Sequence, residues 1–384
     1  MKARYNPSLV CPMCSYDANL PTASHCEICN QPLKRERSPL NVFTIGLGLL
    51  VGLLLLSGGL YFLGKNRITS STTANKLISP ATTPATNSLQ AANSSIASEI
   101  RYYNSMSEVQ NVPEGLFNYG GSIVFAALTA GGMNDAIAQA HPQFRLRYVE
   151  PFSGMPGSGA GIALLLDGEL SFAQSTWPVK DADYEKAQKR GLSLKQVPVG
   201  IDGVVFFTNP QLPVKGLAID QLQDIYTGKV TNWQQVGGPN LPIVAVALDP
   251  KVTASMSLLL SGLANPKLGS RVQIARDYTS SIRKVASTPG SISYASAASV
   301  ITQRTILPLS LAKAKSNQYV EPFINNQVNT QAFRDGSYPF TRQLFVVLSH
   351  KGKPDYQAGV AYTNLLLSRE GQKIIEKAGF VPLR

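Results

Sequence analysis

The sequence predicts an α/β body that follows a small cysteine-containing head and one transmembrane helix. From about Asn118 onward, short apolar runs alternate with helical patterns, which is the rhythm of an α/β domain. An uncharged apolar run separates this body from the N-terminal head, and all four cysteines lie in the head. We therefore divide the 384 residues into a head, a membrane segment, a linker and a body at 1–41, 42–63, 64–100 and 101–384.

The head carries its cysteines in two CxxC pairs with eleven residues between them: Cys11, Cys14, Cys26 and Cys29. This is the spacing of two knuckles that close a tetrahedral thiolate site around zinc. Four thiolates fill the coordination sphere, so we predict a structural zinc, whose binding would fold a head too small to bury a core. His25 is a rival ligand, but four thiolates suffice. The head resembles the small zinc ribbons at the cytoplasmic N-termini of bacterial membrane proteins.

The apolar run VFTIGLGLLVGLLLLSGGLYFL has the length of a transmembrane helix, since about 1.5 Å per residue lets it span the roughly 30 Å hydrocarbon core. A cleaved signal peptide is the alternative, but its apolar region is shorter and lies nearer the N-terminus. Basic residues before the run and the cysteines of the head favour a cytoplasmic N-terminus. We expect a single-pass protein of the bacterial inner membrane with a periplasmic body. Gly48 and Gly52 form a GxxxG pattern through which two copies would dimerise.

Composition limits the partners of the body and the chemistry that it can perform. Residues 64–100 are rich in Ser, Thr, Ala, Asn and Pro, which predicts a flexible tether. The net charge of +12 favours an anionic partner, such as a small oxyanion, an envelope polymer or a membrane surface. An exported body without a Lys/Arg run is not expected to bind nucleic acid. With three histidines in the chain, no G-x-S-x-G motif and no cysteine in the body, we do not expect an enzyme.

Two glycine- and serine-containing loops of the body open helical patterns. Gly120-Gly121-Ser122 precedes a helical pattern over 123–140, and a loop over 154–161 precedes a helix over 162–166. Such loops offer backbone N–H groups, hydroxyls and the positive end of a helix dipole to an anion. A serine before a helix is also simply an N-cap, so neither loop alone decides between the two roles. A last helix is predicted over 356–378.

The order of the body's motifs resembles the phosphate-binding, extracytoplasmic solute-binding proteins of phosphate ABC transporters. The similar segments are YGGSIVFAAL, GSGAGIALLLDGELSFAQSTWPV, PVGIDGVVFFTNP, LAIDQLQDIYTGKVTNWQQVGG, TPGSISYAS and SREGQKIIEKAGFVPL. The resemblance implies a two-lobed periplasmic-binding-protein (Venus flytrap) fold with two hinge crossings. Lobe 1 is expected at about 115–208 and 339–384, and lobe 2 at about 209–338. A transporter permease or another envelope protein is the partner that this resemblance implies.

The resemblance also implies an anion site, for which the candidates are Ser122, Ser158, Gly159, Thr176, Thr253 and Ser280. Two positions depart from the family. Thr176 stands where an Asp usually accepts the proton of a protonated phosphate, and Leu248 stands where an Arg usually supplies a forked cation. Loss of that Arg predicts a site weakened by roughly ten- to over a hundredfold.

Two further polar positions have competing interpretations. The stretch Tyr278-Thr279-Ser280-Ser281 opens a helix, and its hydroxyls either cap that helix or line the cleft. Asp202, near the start of a crossing strand, is expected to cap the strand edge rather than to line the cleft. Three functions stay open: a tethered binding protein for a transporter, a sensor that reports to the zinc head, and a scaffold that kept the fold but lost its ligand.

Overall fold

The computed structural model describes residues 99–250, 254–350 and 353–384. The predicted zinc ribbon, the predicted transmembrane helix, nearly all of the predicted linker and Thr253 lie outside the described residues. Within the described ranges, no helix has the length and apolar character needed to cross a bilayer. The same ranges contain no group of three or more His, Cys, Asp or Glu side chains arranged to hold a metal ion.

The described part of the chain contains thirteen strands. They are β1 (Gly115–Gly121), β2 (Phe144–Tyr148), β3 (Phe172–Ser175), β4 (Leu194–Thr208), β5 (Gly216–Ala218), β6 (Val244–Leu248), β7 (Gln273–Ala275), β8 (Ser291–Ser296), β9 (Leu307–Pro308), β10 (Ser310–Ala312), β11 (Phe323–Ile324), β12 (Gln327–Val328) and β13 (Thr341–Ser349). The α-helices of the same part are α1 (Ala126–Ala130), α2 (Met133–Ala140), α3 (Ser158–Asp167), α4 (Asp181–Lys189), α5 (Ile219–Thr227), α6 (Ala254–Leu259), α7 (Tyr278–Ser287), α8 (Ala297–Val300), α9 (Thr330–Asp335), α10 (Lys353–Leu367) and α11 (Arg369–Lys377).

One mixed sheet of nine strands runs through the body in the order β2-β1-β3-β13-β4-β8-β6-β7, with β9 paired to β4. Strand β4 joins its two halves, because it pairs with β13 as far as Gly203 and with β8 from Val204 onward. All fifteen residues of β4 are buried. The result is a mixed α/β fold of two lobes, with β4 and the start of β13 passing between them.

Glycine is required where β4 passes from one half of the sheet to the other. A Cβ atom on Gly203 would lie 2.0 Å from Cε2 of the Phe333 ring, and Phe333 is itself buried in the core. An alanine at this position would therefore displace either the aromatic ring or the strand. The close approach of α9 to the crossing strand depends on this missing side chain.

Two of the predicted helices are interrupted. The pattern over 123–140 forms a 3-10 turn at Ile123–Phe125 followed by α1 and α2, and Gly132 between these two helices adopts a left-handed φ of 87°. The predicted last helix is divided into α10 and α11 at Ser368, whose hydroxyl accepts a hydrogen bond from the N–H of Gly371. Helix α3 also begins at Ser158, four residues earlier than predicted. In each case a local turn or cap sets a helix boundary that hydrophobic periodicity alone does not indicate.

Stacked aromatic rings hold the central strands of lobe 1 against α10. The ring centroids of Phe172 and Tyr362 lie 4.4 Å apart, and those of Tyr119 and Phe172 lie 5.7 Å apart. The Tyr362 hydroxyl also accepts a hydrogen bond of 2.7 Å from the side chain of Gln174. These contacts fix the carboxyl ends of β1 and β3, where the candidate site lies.

Candidate functional site

The candidate site lies at the carboxyl ends of the three parallel strands of lobe 1. Strand β1 pairs in parallel with both β2 and β3. The chain therefore leaves β1 toward one side, forms β2, and crosses back to form β3 on the other side. Crevices at such switch points are the usual ligand sites of open α/β sheets. Ser122 follows β1, Ser158 follows the loop after β2, and Thr176 follows β3.

The side chains of these three residues form a buried group that we call the hydroxyl cluster. Thr176 Oγ1 lies 3.3 Å from Ser158 Oγ and 3.4 Å from Ser122 Oγ. The backbone N–H of Thr176 donates to Ser158 Oγ over 3.0 Å. Each of the three residues is at most 4% exposed. The structure therefore brings together residues that are separated by up to 54 positions in the sequence.

The two serines of the cluster differ in how they relate to their helices. Ser158 is the first residue of α3, whereas the N-cap is Gly157, which provides no side-chain cap. The first turn of α3, including Gly159, consequently presents backbone N–H groups that no side chain caps. Ser122 does act as a cap, because its Oγ accepts from the N–H of Val124, although over a long 3.4 Å.

Glycines allow α3 to approach the end of β1 closely enough to form the cluster. A Cβ atom on Gly161 would lie 2.5 Å from Cα of Gly121, and one on Gly121 would lie 2.2 Å from the carbonyl oxygen of Gln174. Gly121 also has a φ of 120°, a conformation that other residues rarely adopt. Backbone therefore packs against backbone here, and Ser158 is held beside Thr176.

Trp177, which the sequence analysis did not select, lies beside the hydroxyl cluster. It is 9% exposed, and its indole Nε1 is buried with no hydrogen-bond partner among the described residues. Its ring atom Cζ3 would lie 3.9 Å from a Cβ on Gly159, so the ring borders the first turn of α3. The ammonium of Lys180 lies 4.4 Å from the ring centroid. Ser175 Oγ fixes the backbone by accepting from the Trp177 N–H and donating to the Trp177 carbonyl.

A second polar group, which we call the arginine network, is centred on Arg342 in β13. Arg342 pairs in register with Asp202 of β4, and its Nε and Nη2 lie 2.9 and 2.8 Å from Asp202 Oδ2. Its Nη1 donates to Ser255 Oγ over 3.0 Å, and its Nη2 donates to the Tyr278 hydroxyl over 3.1 Å. The other carboxylate oxygen of Asp202 accepts from the hydroxyl of Ser296 over 2.6 Å.

Burial and ion pairing have opposite effects on the pKa values of Asp202 and Arg342. Burial raises the pKa of the Asp202 carboxyl, and the contacts with Arg342 and Ser296 oppose that rise. Burial also acts to lower the pKa of Arg342, but Tyr278 and Asp202 hold it above its ordinary value. The guanidinium therefore stays protonated and has a carboxylate as its counter-ion.

The hydroxyl cluster and the arginine network lie at the same edge of the central sheet. In the pairing of β13 with β3, Phe345 is opposite Ser175. Arg342 lies three residues beyond Phe345, which is about 10 Å along the strand at roughly 3.3 Å per residue. Both polar groups consequently lie beyond the carboxyl end of β3.

The other predicted positions have different environments. Ser280 is part of a capping box at α7, because its N–H donates to Asp277 Oδ1 over 2.7 Å and its hydroxyl accepts from the Asp277 N–H over 3.1 Å. Leu248 is buried at the end of β6. Asp202 does not cap a strand edge as expected, since it lies inside β4 and is fully buried. Thr253 lies outside the described residues.

A sequence signal for the arginine network was present. Asp202 and Arg342 are charged residues inside the apolar runs GIDGVVFF of β4 and TRQLFVVLS of β13. Charged residues are almost never fully buried unless they are paired. Opposite charges in two neighbouring crossing strands therefore indicate an ion pair.

Comparison with known proteins places this architecture in a family. A family model described as a PBP superfamily domain matches residues 126–370, which include α3, both crossing strands and the arginine network. The chain belongs to the PBP superfamily. Phosphate-binding protein PstS of Staphylococcus aureus is 24% identical over 252 residues, which are 65% of this chain and 73% of that protein. The PstS of Staphylococcus epidermidis is 25% identical over the same shares.

Solved structures show the same fold. A protein from Clostridium perfringens, assigned as a phosphate ABC transporter substrate-binding protein and solved with phosphate bound, matches with a TM-score of 0.58 and 22% identity, over 70% of this chain and 100% of that one. An ABC-type phosphate transport receptor from Vibrio cholerae matches with a TM-score of 0.52 and 19% identity, over 70% and 99%. The two-lobed periplasmic-binding-protein fold that the sequence predicts is thereby confirmed. By family, the chain groups with solute-binding proteins rather than with enzymes.

Proposed function

We propose that this protein is a membrane-anchored, extracytoplasmic solute-binding protein that binds a small oxyanion, phosphate or a related anion, for transport or sensing. The observation that carries the proposal is the hydroxyl cluster of Ser122, Ser158 and Thr176 beside the uncapped first turn of α3. Hydroxyls and helix N-terminal N–H groups together are suited to an anion. Relatives named as phosphate-binding proteins make phosphate the first anion to test.

The chemistry of the cluster predicts low selectivity among oxyanions. Thr176 can donate to any oxyanion, whereas a carboxylate at this position would demand a protonated one. Sulfate and the fully ionised form of phosphate should therefore bind as readily as a protonated phosphate. No hydrogen bond of the cluster within the described residues involves a carboxylate.

Affinity should be weak because an arginine is missing at the loop position where the family resemblance implies one. Leu248 occupies the position of the cation that the family resemblance implies, and it is buried. Arg342 is the buried cation at this edge of the sheet, but its fork is engaged by Asp202. Losing a forked, charge-assisted contact lowers affinity by roughly ten- to over a hundredfold.

Calorimetric titration of the full-length chain in detergent with phosphate and sulfate tests this proposal. We expect weak binding of both anions, and we expect Ser158→Ala to weaken it further because one hydroxyl of the cluster is removed. Ser287→Ala is the matched control, since Ser287 is exposed and its hydroxyl donates to carbonyls of its own helix. Submicromolar phosphate binding that survives Ser158→Ala would contradict the proposal.

A scaffold that kept the fold but lost its ligand is the second candidate, and the arginine network is the observation that favours it. Asp202 already neutralises the guanidinium of Arg342, so the network needs no bound anion as a counter-ion. Absence of calorimetric binding to every anion tested would favour this candidate over a solute-binding role.

The remaining parts of the proposal concern the residues before the body. We propose that 1–41 form a cytoplasmic zinc ribbon held by Cys11, Cys14, Cys26 and Cys29, and that 42–63 anchor the chain in the inner membrane. Dimerisation through the GxxxG pattern and contact with a transporter permease belong to the same proposal. Metal analysis should find one zinc per chain, lost in Cys14→Ser. Protease added to spheroplasts should digest the body and spare the head.

A further inference from the structure

We propose that Trp177 is a ligand-binding residue of the anion site, and that its indole N–H donates a hydrogen bond to the bound oxyanion. This inference rests on the proposed function and deepens it. The observation that carries it is the indole Nε1, which is buried and has no partner among the described residues. A buried donor without an acceptor costs about 1 to 3 kcal/mol, so the Trp177 N–H calls for a partner, and a ligand bound at this site would supply one.

The surroundings of Trp177 connect this donor with the hydroxyl cluster. Trp177 directly follows Thr176, whose N–H and hydroxyl both contact Ser158. The benzo edge of its ring, at Cζ3 and opposite Nε1, borders Gly159 in the first turn of α3. The unsatisfied indole therefore belongs to the residue that directly follows Thr176, one of the three residues of the hydroxyl cluster.

The other tryptophan of the chain, Trp233, has an indole N–H with a hydrogen-bond acceptor. Trp233 is fully buried in lobe 2, and its Nε1 donates to the carbonyl oxygen of Gly290 over 2.8 Å. Trp177 is buried to nearly the same degree but lacks such an acceptor. The tryptophan whose indole lacks an acceptor is the one that follows Thr176 of the hydroxyl cluster.

Lys180 adds positive charge to the same segment. Its ammonium lies 4.4 Å from the centroid of the Trp177 ring, which is a cation–π distance. Lys180 is itself an exposed residue. Lys180 therefore places one cation over the face of the Trp177 ring.

The indole of Trp177 also limits which protonation states of an anion suit the site. An indole N–H is a donor only and cannot accept a proton from the ligand. A site in which Trp177 and the hydroxyls supply the contacts suits a fully ionised tetrahedral oxyanion such as sulfate. Trp177 offers no acceptor for a proton that the ligand carries.

Indole resonances of the full-length chain give a direct test. With both tryptophans labelled with ¹⁵N, the chain should show two indole N–H signals, because it contains two tryptophans. Saturation with sulfate or phosphate should move the Trp177 signal, identified by its loss in Trp177→Phe, and should leave the Trp233 signal in place. A Trp177 signal that does not move while calorimetry reports binding would overturn the proposal.

Affinity provides the second measurement. Trp177→Phe keeps an aromatic ring for Lys180 but removes the donor, so sulfate affinity should fall roughly ten- to a hundredfold, as expected for a hydrogen bond to a charged group. Trp233→Phe is the matched control and should change the affinity by less than about twofold, because its ring lies in lobe 2. Equal affinities of wild type and Trp177→Phe would overturn the proposal. If wild type binds neither anion, the proposed function fails, and this inference fails with it.

Discussion

Replacing Arg342 with methionine leaves the Asp202 carboxylate buried without its cation. Asp202 is fully buried and the Arg342 side chain is 3% exposed, so water solvates neither charge. Breaking such a pair from one side costs about 3 to 5 kcal/mol in the free energy of unfolding. Asp202→Asn breaks the pair from the other side and should cost a similar amount, because it leaves the guanidinium with only neutral partners.

The double variant Asp202→Asn/Arg342→Met separates the energy of the pair from the damage caused by either single change. Replacing both charges of a buried pair is often neutral or stabilising, whereas removing one is strongly destabilising. We therefore expect the double variant to be more stable than either single variant. Ser255 and Tyr278 lose one donor each in Arg342→Met, so the double variant need not reach the stability of wild type.

Urea and thermal unfolding of the full-length chain in detergent measure these differences. At about 2 to 4 °C per kcal/mol, the single variants should lower Tm by about 6 to 20 °C. Lys229→Met is a control, because it removes an exposed ion pair with Asp224 and should cost less than about 1 kcal/mol. If Arg342→Met lowers Tm by no more than Lys229→Met, the network does not stabilise the fold in the way argued here.

Two further predictions follow from the caps and the crossing strand. The N–H of Ser280 lowers the pKa of Asp277, so this cap stabilises the fold above pH 4 and is lost as pH falls through the lowered value. Asp277→Ala should lower the free energy of unfolding by about 0.5 to 2 kcal/mol at pH 7 and by less in acid, whereas Asp277→Asn keeps a non-titrating cap. Urea unfolding at pH 7 and pH 3 distinguishes the two variants. An equal cost of Asp277→Ala at both pH values would contradict the pKa shift. Gly203→Ala should cost about 1 to 3 kcal/mol through its clash with Phe333, and Phe333→Leu in the same chain should recover part of that loss if the clash is the cause.

Those features of the fold that depend on local pattern could be predicted from the sequence. The alternation of strands and helices, and the glycine-containing loops after β1 and β2, arise from short-range periodicity and turn chemistry. The convergence of Ser122, Ser158 and Thr176 could be anticipated because the carboxyl ends of parallel strands meet at one edge of a sheet. The interruptions at Gly132 and Ser368 were missed because apolar periodicity continues through both turns.

The arginine network depends on pairing that no local pattern specifies. Asp202 and Arg342 are 140 residues apart, and they become neighbours only when β13 pairs with β4 in the observed register. That register shifts between Leu344 and Phe345, so counting residues along two ideal strands gives the wrong partner. The unsatisfied indole of Trp177 is likewise a property of the packed site and not of the sequence around it.

If a bound anion reaches Arg342, it would compete with Asp202 as the counter-ion of the guanidinium, and variants of the pair test this. In Asp202→Asn the guanidinium keeps its bonds to Ser255 and Tyr278 but loses its only carboxylate partner in the network. The variant should therefore be less stable than wild type without ligand and should gain more from an anion, because ligand stabilisation grows with the logarithm of the ligand concentration divided by Kd. Thermal unfolding in increasing phosphate measures this gain as a rise in Tm. We expect a larger rise in Asp202→Asn than in wild type, and a smaller one in Arg342→Met, where no cation remains to be satisfied. Equal rises in all three chains would show that the anion does not interact with Arg342, and the hydroxyl cluster with Trp177 would then carry the binding alone.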